Sequence, residues 1–255
     1  MSNSESHIIT QTSNDFPKTT YYNYKEATGL VIGISEIFFF FFFISVIRIF
    51  SKKMKSIDFI SYFWLSLTVL TMFWEFAYIY NNKNINEYSK YLIDNKEHVW
   101  SNRYPLQYLL PNKLADIFYA EYGAYADREY MVTRDHWSRI IEGTHAFFCG
   151  IFSLCALISI KNTISSKYLL FVGIAMGSQI MNSVIYMGQY FIETTESYSI
   201  NYNSTDFPVG NMLFKRPFMY VNIFWTIMPA YVIIKLCNKK FKKDKTNKKL
   251  YNEIN

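Results

Sequence analysis

The run YLLFVGIAMGSQIMNSVIYMGQYFI, residues 168–192, has 25 residues and no charged side chain. A helix of about 20 mostly apolar residues is long enough to cross the hydrocarbon core of a bilayer. Buried helices of soluble proteins are usually shorter and keep a polar stripe. This run therefore predicts a transmembrane helix.

Four further apolar runs each contain at most one charged side chain. Glu36, Glu75 and Glu142 interrupt the first three, and the last run has no charge at all. Together with residues 168–192, these runs predict an all-α, polytopic membrane protein that forms a five-transmembrane-helix bundle. The predicted membrane domain is 27–237, and its spans cover about 27–47, 57–80, 138–160, 168–192 and 217–236.

The composition fits this interpretation. The chain has 255 residues, a net charge of +6, 51% hydrophobic residues and 20% aromatic residues. Its mean hydropathy of zero averages apolar spans against polar segments. Low charge with 9 glycines and 6 prolines excludes a disordered or collagen-like chain. Cys149 and Cys155 lie in the third span and Cys237 follows the fifth, so we expect no disulfide framework.

Lysine and arginine cluster on one side of the predicted topology. They occur at residues 48–55, 161–167 and 235–249, which a five-span chain places on the same side. The positive-inside rule makes that side cytosolic, so the C-terminus is cytosolic and the N-terminus lumenal. The lumenal side then carries the polar segment 1–26, the loop 81–136 and the loop 193–216.

Three further features fit this topology. The first apolar run follows 26 polar residues and is too long for a signal-peptide core, so we expect a retained anchor. Asn203-Ser204-Thr205, in the second lumenal loop, is a glycosylation sequon. It is weak evidence for the topology, because such tripeptides are common by chance in an Asn-rich chain. The basic tail, residues 238–255, fits contact with anionic cytosolic lipid better than contact with nucleic acid.

Ionisable side chains inside the spans are the main functional signal. Such groups cost about 2.5–3.5 kcal/mol on insertion scales and mark functional sites by default. Glu75 and Glu142 each lie about five residues from the lumenal end of their span. Thr71 lies one turn deeper on the face of Glu75, and His145 one turn deeper on the face of Glu142. The two predicted layers are roughly 4.5–6 Å apart.

The fifth span adds Asn222 five residues from its lumenal end, in the layer of the acids, and Trp225 eight residues in, in the deeper layer. Polar groups at matching depth on three helices predict a shared pocket. Each residue also has a structural explanation of its own. A glutamate near an interface can snorkel, an asparagine can join helices, a tryptophan can belong to the interfacial belt, and a histidine can be a hydrogen-bonded core residue. Glu36, deeper in the first span, either joins the pocket or has a structural role.

The order of these residues resembles the emopamil-binding protein family, the sterol Δ8–Δ7 isomerases and their relatives that share the EXPERA domain. The resemblance covers about residues 30–237. The spacing Asn-x-x-Trp-x-x-x-Pro on the fifth span and the Glu-Tyr…Asp…Arg segment are its most specific parts. The segments that carry it are Glu75-Phe76-Ala77-Tyr78, Glu121-Tyr122-Gly123-Ala124-Tyr125-Ala126-Asp127-Arg128, Glu142-Gly143-Thr144-His145, Gln179-Ile180, Tyr186, and Asn222-Ile223-Phe224-Trp225 with Pro229.

The resemblance implies an enzyme of the endoplasmic reticulum membrane that shifts a sterol double bond through a carbocation and needs no cofactor and no metal. Glu75 and Glu142 match the family's two acids, of which one donates a proton and the other accepts one. Asn222 and Trp225 match its polar and aromatic pair, and Trp225 is expected to face the cation. Tyr186 is expected to contact the substrate.

This chain departs from the family at several positions. The active isomerases have a histidine where this chain has Thr71, and a threonine where it has His145. Either His145 replaces the missing histidine as a proton relay from the opposite wall, or the histidine was lost together with activity. Asn182 stands where the family tends to have glycine, and one residue is added before Asp127. These changes leave the shape of the pocket, and hence the substrate, open.

Three classes of function therefore remain open. The first is the isomerase. The second is a non-catalytic binder of sterols or amphipathic amines, which the same pocket would serve. The third, a proton-coupled transporter, is disfavoured because the sequence shows no inverted repeat and no broken helix. Membrane lipid is an expected partner, nucleic acid is not, and a homodimer stays open.

Overall fold

The computed structural model describes residues 25–126, 136–161, 165–193 and 217–254. Within these ranges the chain forms seven α-helices and one short two-stranded ribbon. The helices are α1 Gly29–Phe50, α2 Phe59–Tyr80, α3 Asn82–Asn95, α4 Pro111–Tyr125, α5 His136–Ile158, α6 Ser166–Glu193 and α7 Pro217–Ile254. The strands are β1 Glu26–Thr28 and β2 Arg103–Pro105, and the 3₁₀ turns are Met54–Ser56 and Leu106–Leu109.

Five of these helices, α1, α2, α5, α6 and α7, are long and apolar enough to cross a bilayer. This confirms the predicted all-α membrane bundle, and the chain is a multi-pass membrane protein. We call the end that carries α3 and α4 the α4 end. The opposite end, with residues 51–58, 159–161, 165–167 and 235–240, is the lysine end. The sequon at Asn203 and the segment 1–24 lie outside the described residues.

The segment between α2 and α5 was expected only as a loop, 81–136, but it contains α3 and α4. In α3, Ile85, Tyr88, Ser89 and Leu92 are buried. These residues are three or four positions apart and therefore lie on one face of the helix. The otherwise polar α3 packs against its neighbours through this narrow buried face. A second difference concerns α7, which continues as a single helix to Ile254, well beyond the span predicted to end near residue 236.

The start of α1 is fixed to the α4 end. Thr28 caps α1 by accepting a hydrogen bond from the Val31 N–H (3.4 Å). A Cβ atom on Gly29 would lie 2.3 Å from the Val99 carbonyl oxygen, so only glycine allows this close approach. Glu121, on α4, accepts from the Val99 N–H (2.9 Å) and contacts His98 Nδ1 (2.7 Å). Glu121 therefore holds the chain between α3 and β2, which gives this residue a structural explanation.

The α2–α5 pair is packed at two glycines. A Cβ atom on Gly150 would lie 2.3 Å from Met72 Cβ, and one on Gly143 would lie 1.9 Å from Ile79 Cδ1. Small residues let membrane helices approach closely and gain van der Waals contact. Both contacts belong to one antiparallel register, in which Ile79 lies opposite Gly143 and Met72 opposite Gly150.

At the lysine end, α1 is joined to α2 by side-chain hydrogen bonds to backbone carbonyls. Arg48 donates to the carbonyls of Met54 (2.6 Å) and Ile57 (2.9 Å). The Tyr62 hydroxyl donates to the carbonyl of Ile44 (2.9 Å). Most of the phenylalanine run on α1 is exposed in the isolated chain, as expected of a helix surface that faces lipid.

Candidate functional site

Glu75 lies on α2 near the α4 end and is held by a residue outside the membrane spans. The Tyr119 hydroxyl, on α4, donates a hydrogen bond to Glu75 Oε1. Burial raises the pKa of the Tyr119 phenol well above its ordinary value, and the Glu75 carboxylate beside it raises that pKa further. The phenol therefore keeps its proton at physiological pH and acts on Glu75 as a donor.

Glu142 lies on α5 and faces α6. The Asn182 side-chain amide is 3.2 Å from one Glu142 carboxylate oxygen and 3.5 Å from the other. The carboxyl groups of Glu75 and Glu142 are close enough for their charges to interact. The structure thus brings the two predicted acids into one neighbourhood, each with a hydrogen-bond donor of its own. Asn182 is itself one of the departures from the family pattern.

Glu75 and Glu142 were predicted to lie at the same depth, but the register of α2 and α5 sets them at different depths. Because Ile79 lies opposite Gly143, Glu142 lies level with the last residues of α2. Glu75 lies about five residues deeper, or about 7 Å at the rise of an α-helix. The depth prediction assumed that the two helices end level with one another. The backbones of the two acids therefore do not share a layer.

His145 and Thr71 do not face one another across the helix pair. His145 Nε2 lies 3.2 Å from Cys149 Sγ, and Cys149 Sγ lies 3.5 Å from the Ala175 carbonyl, so this pair faces α6. The Thr71 hydroxyl donates to the Thr68 carbonyl of its own helix (3.0 Å). In the α2–α5 register Thr71 lies opposite residue 151, about six residues from His145. The two positions therefore do not share a layer, which leaves the proposed exchange without geometric support.

A second polar cluster lies deeper, between α2 and α6. The Trp64 indole N–H donates to Gln179 Oε1 (3.0 Å), and the Gln179 amide donates to Thr68 Oγ1 (3.0 Å). The Thr68 hydroxyl in turn donates to the Trp64 carbonyl (2.9 Å). All three residues are buried. Each of these donors has an acceptor, which is what a buried polar group in an apolar bundle requires.

Trp225, on α7, belongs to this deeper cluster. Its ring packs edge-on against Trp64 with the centroids 4.7 Å apart. Trp64 is 11 residues before Glu75 on α2, so about 16 Å of helix separates their backbones. The prediction placed Trp225 one turn deeper than the acids, in the layer of Thr71 and His145. The structure places its ring against Trp64, which lies seven residues farther along α2 than Thr71.

The remaining predicted residues are placed as follows. Asn222 is half-buried on α7, and its carbonyl accepts from the Thr226 hydroxyl (2.8 Å). Tyr186 is buried in the apolar cluster at the α4 end, which also contains Tyr119. Glu36 is buried on α1 and makes no hydrogen bond or ion pair with another described residue.

Two residues near Glu75 were not predicted. Tyr119 was missed because its helix was taken for a loop, although it lies only two residues before the Glu121-Tyr122 segment. Trp74 precedes Glu75, and its buried indole N–H has no hydrogen-bond partner among the described residues. The apolar spacing of residues 114–124 is the signal that would have indicated α4.

The described side chains offer no group of three or more metal-ligating residues. The α4 end presents the carboxyl groups of Glu75 and Glu142, with the Tyr119 phenol and the Asn182 amide as their hydrogen-bond donors. Comparisons of the chain with protein-family models, with curated proteins and with solved structures found no match.

Proposed function

We propose that the chain is an intramembrane isomerase that moves a sterol ring double bond from Δ8 to Δ7. One observation supports this most directly: Glu75 and Glu142 lie on two packed membrane helices, α2 and α5, and each carboxyl group has a hydrogen-bond donor, Tyr119 or Asn182. Two carboxyl groups in one apolar neighbourhood do not readily ionise together, so we propose that one of them stays protonated. Such a pair presents one acid and one base to the same ligand.

The proposed reaction needs only these two groups. One carboxyl group adds a proton to a carbon of the double bond, which leaves a carbocation on the other carbon. The second carboxyl group removes a proton from the carbon beside the cation, and the double bond forms one position along the ring. The catalyst ends with the same number of protons, so no cofactor is consumed.

Trp225 is proposed to bind the part of the ligand that lies farther from the acids. Its contact with Trp64 sets it deeper in the bundle than Glu75. A sterol is elongated and rigid, so one molecule placed along the helices would contact Glu75 at one level and Trp225 at the other. Asn222, one turn from Trp225 on α7, and Tyr186, in the apolar cluster at the α4 end, stay proposed substrate contacts.

A non-catalytic binder is the second candidate, and one observation favours it. Thr71 replaces the family's histidine, its hydroxyl is bonded within α2, and His145 faces α6. No described histidine therefore takes the place of the missing one beside Glu75. The same carboxyl pair would bind a sterol or the cation of an amphipathic amine without turnover.

Sterol profiling of isomerase-deficient cells that express this chain separates the two candidates. We expect Δ7 sterols to appear and Δ8 sterols to fall. Unchanged sterols, with the protein shown to be present in the membrane, would contradict the isomerase. Saturable binding of a labelled sterol by that inactive protein would then favour the binder.

Tyr119→Phe tests whether the phenol supports Glu75. A hydrogen bond to a charged group is worth about 1.5–3 kcal/mol, so we expect turnover of a Δ8 sterol to fall about 10- to 100-fold. Tyr91→Phe, which removes the hydroxyl of an exposed tyrosine on α3, is the matched control and should keep its activity. Equal turnover in both variants would show that Tyr119 has no part in the reaction.

The endoplasmic reticulum is the proposed compartment, with the N-terminus lumenal and the C-terminus cytosolic. Support for this orientation comes from the basic residues at the lysine end, which the positive-inside rule assigns to the cytosol. The compartment itself rests on the sterol substrate.

A further inference from the structure

The lysine end carries many cations and almost no anions. Among the described side chains it has nine basic residues against one acid, Asp58. The eight lysines are all exposed. The basic residues are Arg48, Lys52, Lys53, Lys55, Lys161, Lys167, Lys235, Lys239 and Lys240.

The basic segments meet at one residue, Ser56. Its hydroxyl donates to the carbonyl of Lys161 (3.2 Å), which joins the 3₁₀ turn after α1 to the α5–α6 connection. Its carbonyl accepts a hydrogen bond from the Lys239 ammonium, which joins α7 to the same turn. Three segments far apart in the sequence therefore form one cationic surface.

None of the described side chains on this surface forms an ion pair with its lysines. The three ion pairs of the described residues, His98–Glu121, Arg103–Glu26 and Lys113–Asp116, all lie at the α4 end. Asp58 caps α2 by accepting from the Ser61 N–H (2.9 Å) and hydroxyl (2.7 Å). The mutual repulsion of the lysines is thus uncompensated within the described part of the protein, and an anionic partner would relieve it.

The position of these lysines indicates the partner. Lys167 lies in the first turn of α6, Lys240 ends the apolar span of α7, and Lys52 follows α1 by two residues. All three are at the ends of membrane-spanning helices, the depth at which lipid headgroups lie. A soluble protein or a nucleic acid would have to approach a surface that already faces the headgroups.

We propose that the surface around Ser56 binds anionic phospholipid headgroups of the adjacent leaflet. A basic residue near an anionic membrane surface contributes about 1 kcal/mol. Eight exposed lysines, of which none is ion-paired, give a surface that recognises negative lipid by charge. The proposal is independent of the sterol chemistry at the opposite end of the bundle.

The test compares two triple variants of the full-length protein with the same change in charge. Lys53→Gln/Lys55→Gln/Lys161→Gln removes three lysines at Ser56, and Lys25→Gln/Lys83→Gln/Lys90→Gln removes three exposed lysines at the α4 end. The measurement is the affinity for a fluorescent phosphatidylserine in neutral detergent. We expect the first variant to bind about 100-fold more weakly, from three contributions of about 1 kcal/mol. The second should bind like the wild type.

Further measurements keep the result interpretable. Added salt should weaken wild-type binding, because exposed charges are screened. A Lys53→Arg/Lys55→Arg/Lys161→Arg variant should keep its affinity, and an equal thermal midpoint in neutral detergent shows that the glutamine variant is folded. Equal losses in the two glutamine variants, or no loss in either, would overturn the proposal. So would equally tight binding of soluble phosphoserine, which would indicate a site for a free phosphate compound.

Discussion

Glu75→Gln should lower the conversion of a Δ8 sterol to a Δ7 sterol at least 100-fold while the protein stays folded in the membrane. Glutamine keeps the size of the side chain and still accepts the Tyr119 hydrogen bond, but it neither gives nor takes a proton. General acid–base catalysis contributes typically 10²- to 10⁴-fold, so the loss should be of that order. The measurement is product formation by gas chromatography with equal amounts of folded protein.

Glu36→Gln provides the control for this change. Glu36 is also a buried acid in a membrane span, but it is on α1 and makes no ion pair or hydrogen bond with the described residues. Its replacement should leave conversion within a few-fold of the wild type. Full activity in Glu75→Gln would remove Glu75 from the mechanism. Equal losses in both variants would mean that conversion depends on intramembrane acids in general.

Gly150→Ala should destabilise the bundle by about 3 kcal/mol, the upper end of the usual cost of overpacking. The added Cβ would lie 2.3 Å from Met72 Cβ and 2.8 Å from Met72 Cγ. The atoms next to the Met72 backbone cannot turn away as the end of the side chain can, so α2 and α5 must separate. The measurement is the thermal or denaturant midpoint of the purified protein in detergent.

Gly177→Ala is the matched control on α6. A Cβ atom there would meet nothing within 4 Å, and alanine favours a helix over glycine by up to about 1 kcal/mol. We therefore expect an unchanged or slightly raised midpoint. Equal midpoints for Gly150→Ala and Gly177→Ala would contradict the close packing of α2 on α5. They would also contradict the register that places Glu142 beside the end of α2.

The membrane helices could be predicted because residues 168–192 have no charged side chain and the other apolar runs have at most one each. The helices of the connecting segment were harder to predict because α3 has a polar composition and only a narrow buried stripe. Its Tyr88 and Leu92 pack against neighbours that are distant in sequence, and a search for apolar runs does not detect such a stripe.

The acidic residues of the candidate site could be predicted from the sequence, but their arrangement in space could not. A carboxyl group inside an apolar run is visible in any sequence, so Glu75 and Glu142 could be named. The direction in which Glu142 and His145 face depends on how α5 is rotated, and the structure turns both toward α6. Tyr119 comes from a helix 44 residues away from Glu75, a contact that only the tertiary fold creates.

The length of α7 sets how far the basic C-terminus reaches. Its apolar window ends at Lys240, and the helix continues to Ile254. At 1.5 Å per residue the stretch from 241 to 254 extends about 20 Å, roughly two Debye lengths at physiological salt. A lysine at the far end of this helix is therefore too distant for an electrostatic attraction to charges near Lys240, because salt screens it. Lys235 and Lys239 lie within one Debye length of Lys240. Among the lysines of α7, those near Lys240 are therefore the ones that the proposed lipid-binding surface would use, and those near Ile254 would add little to it.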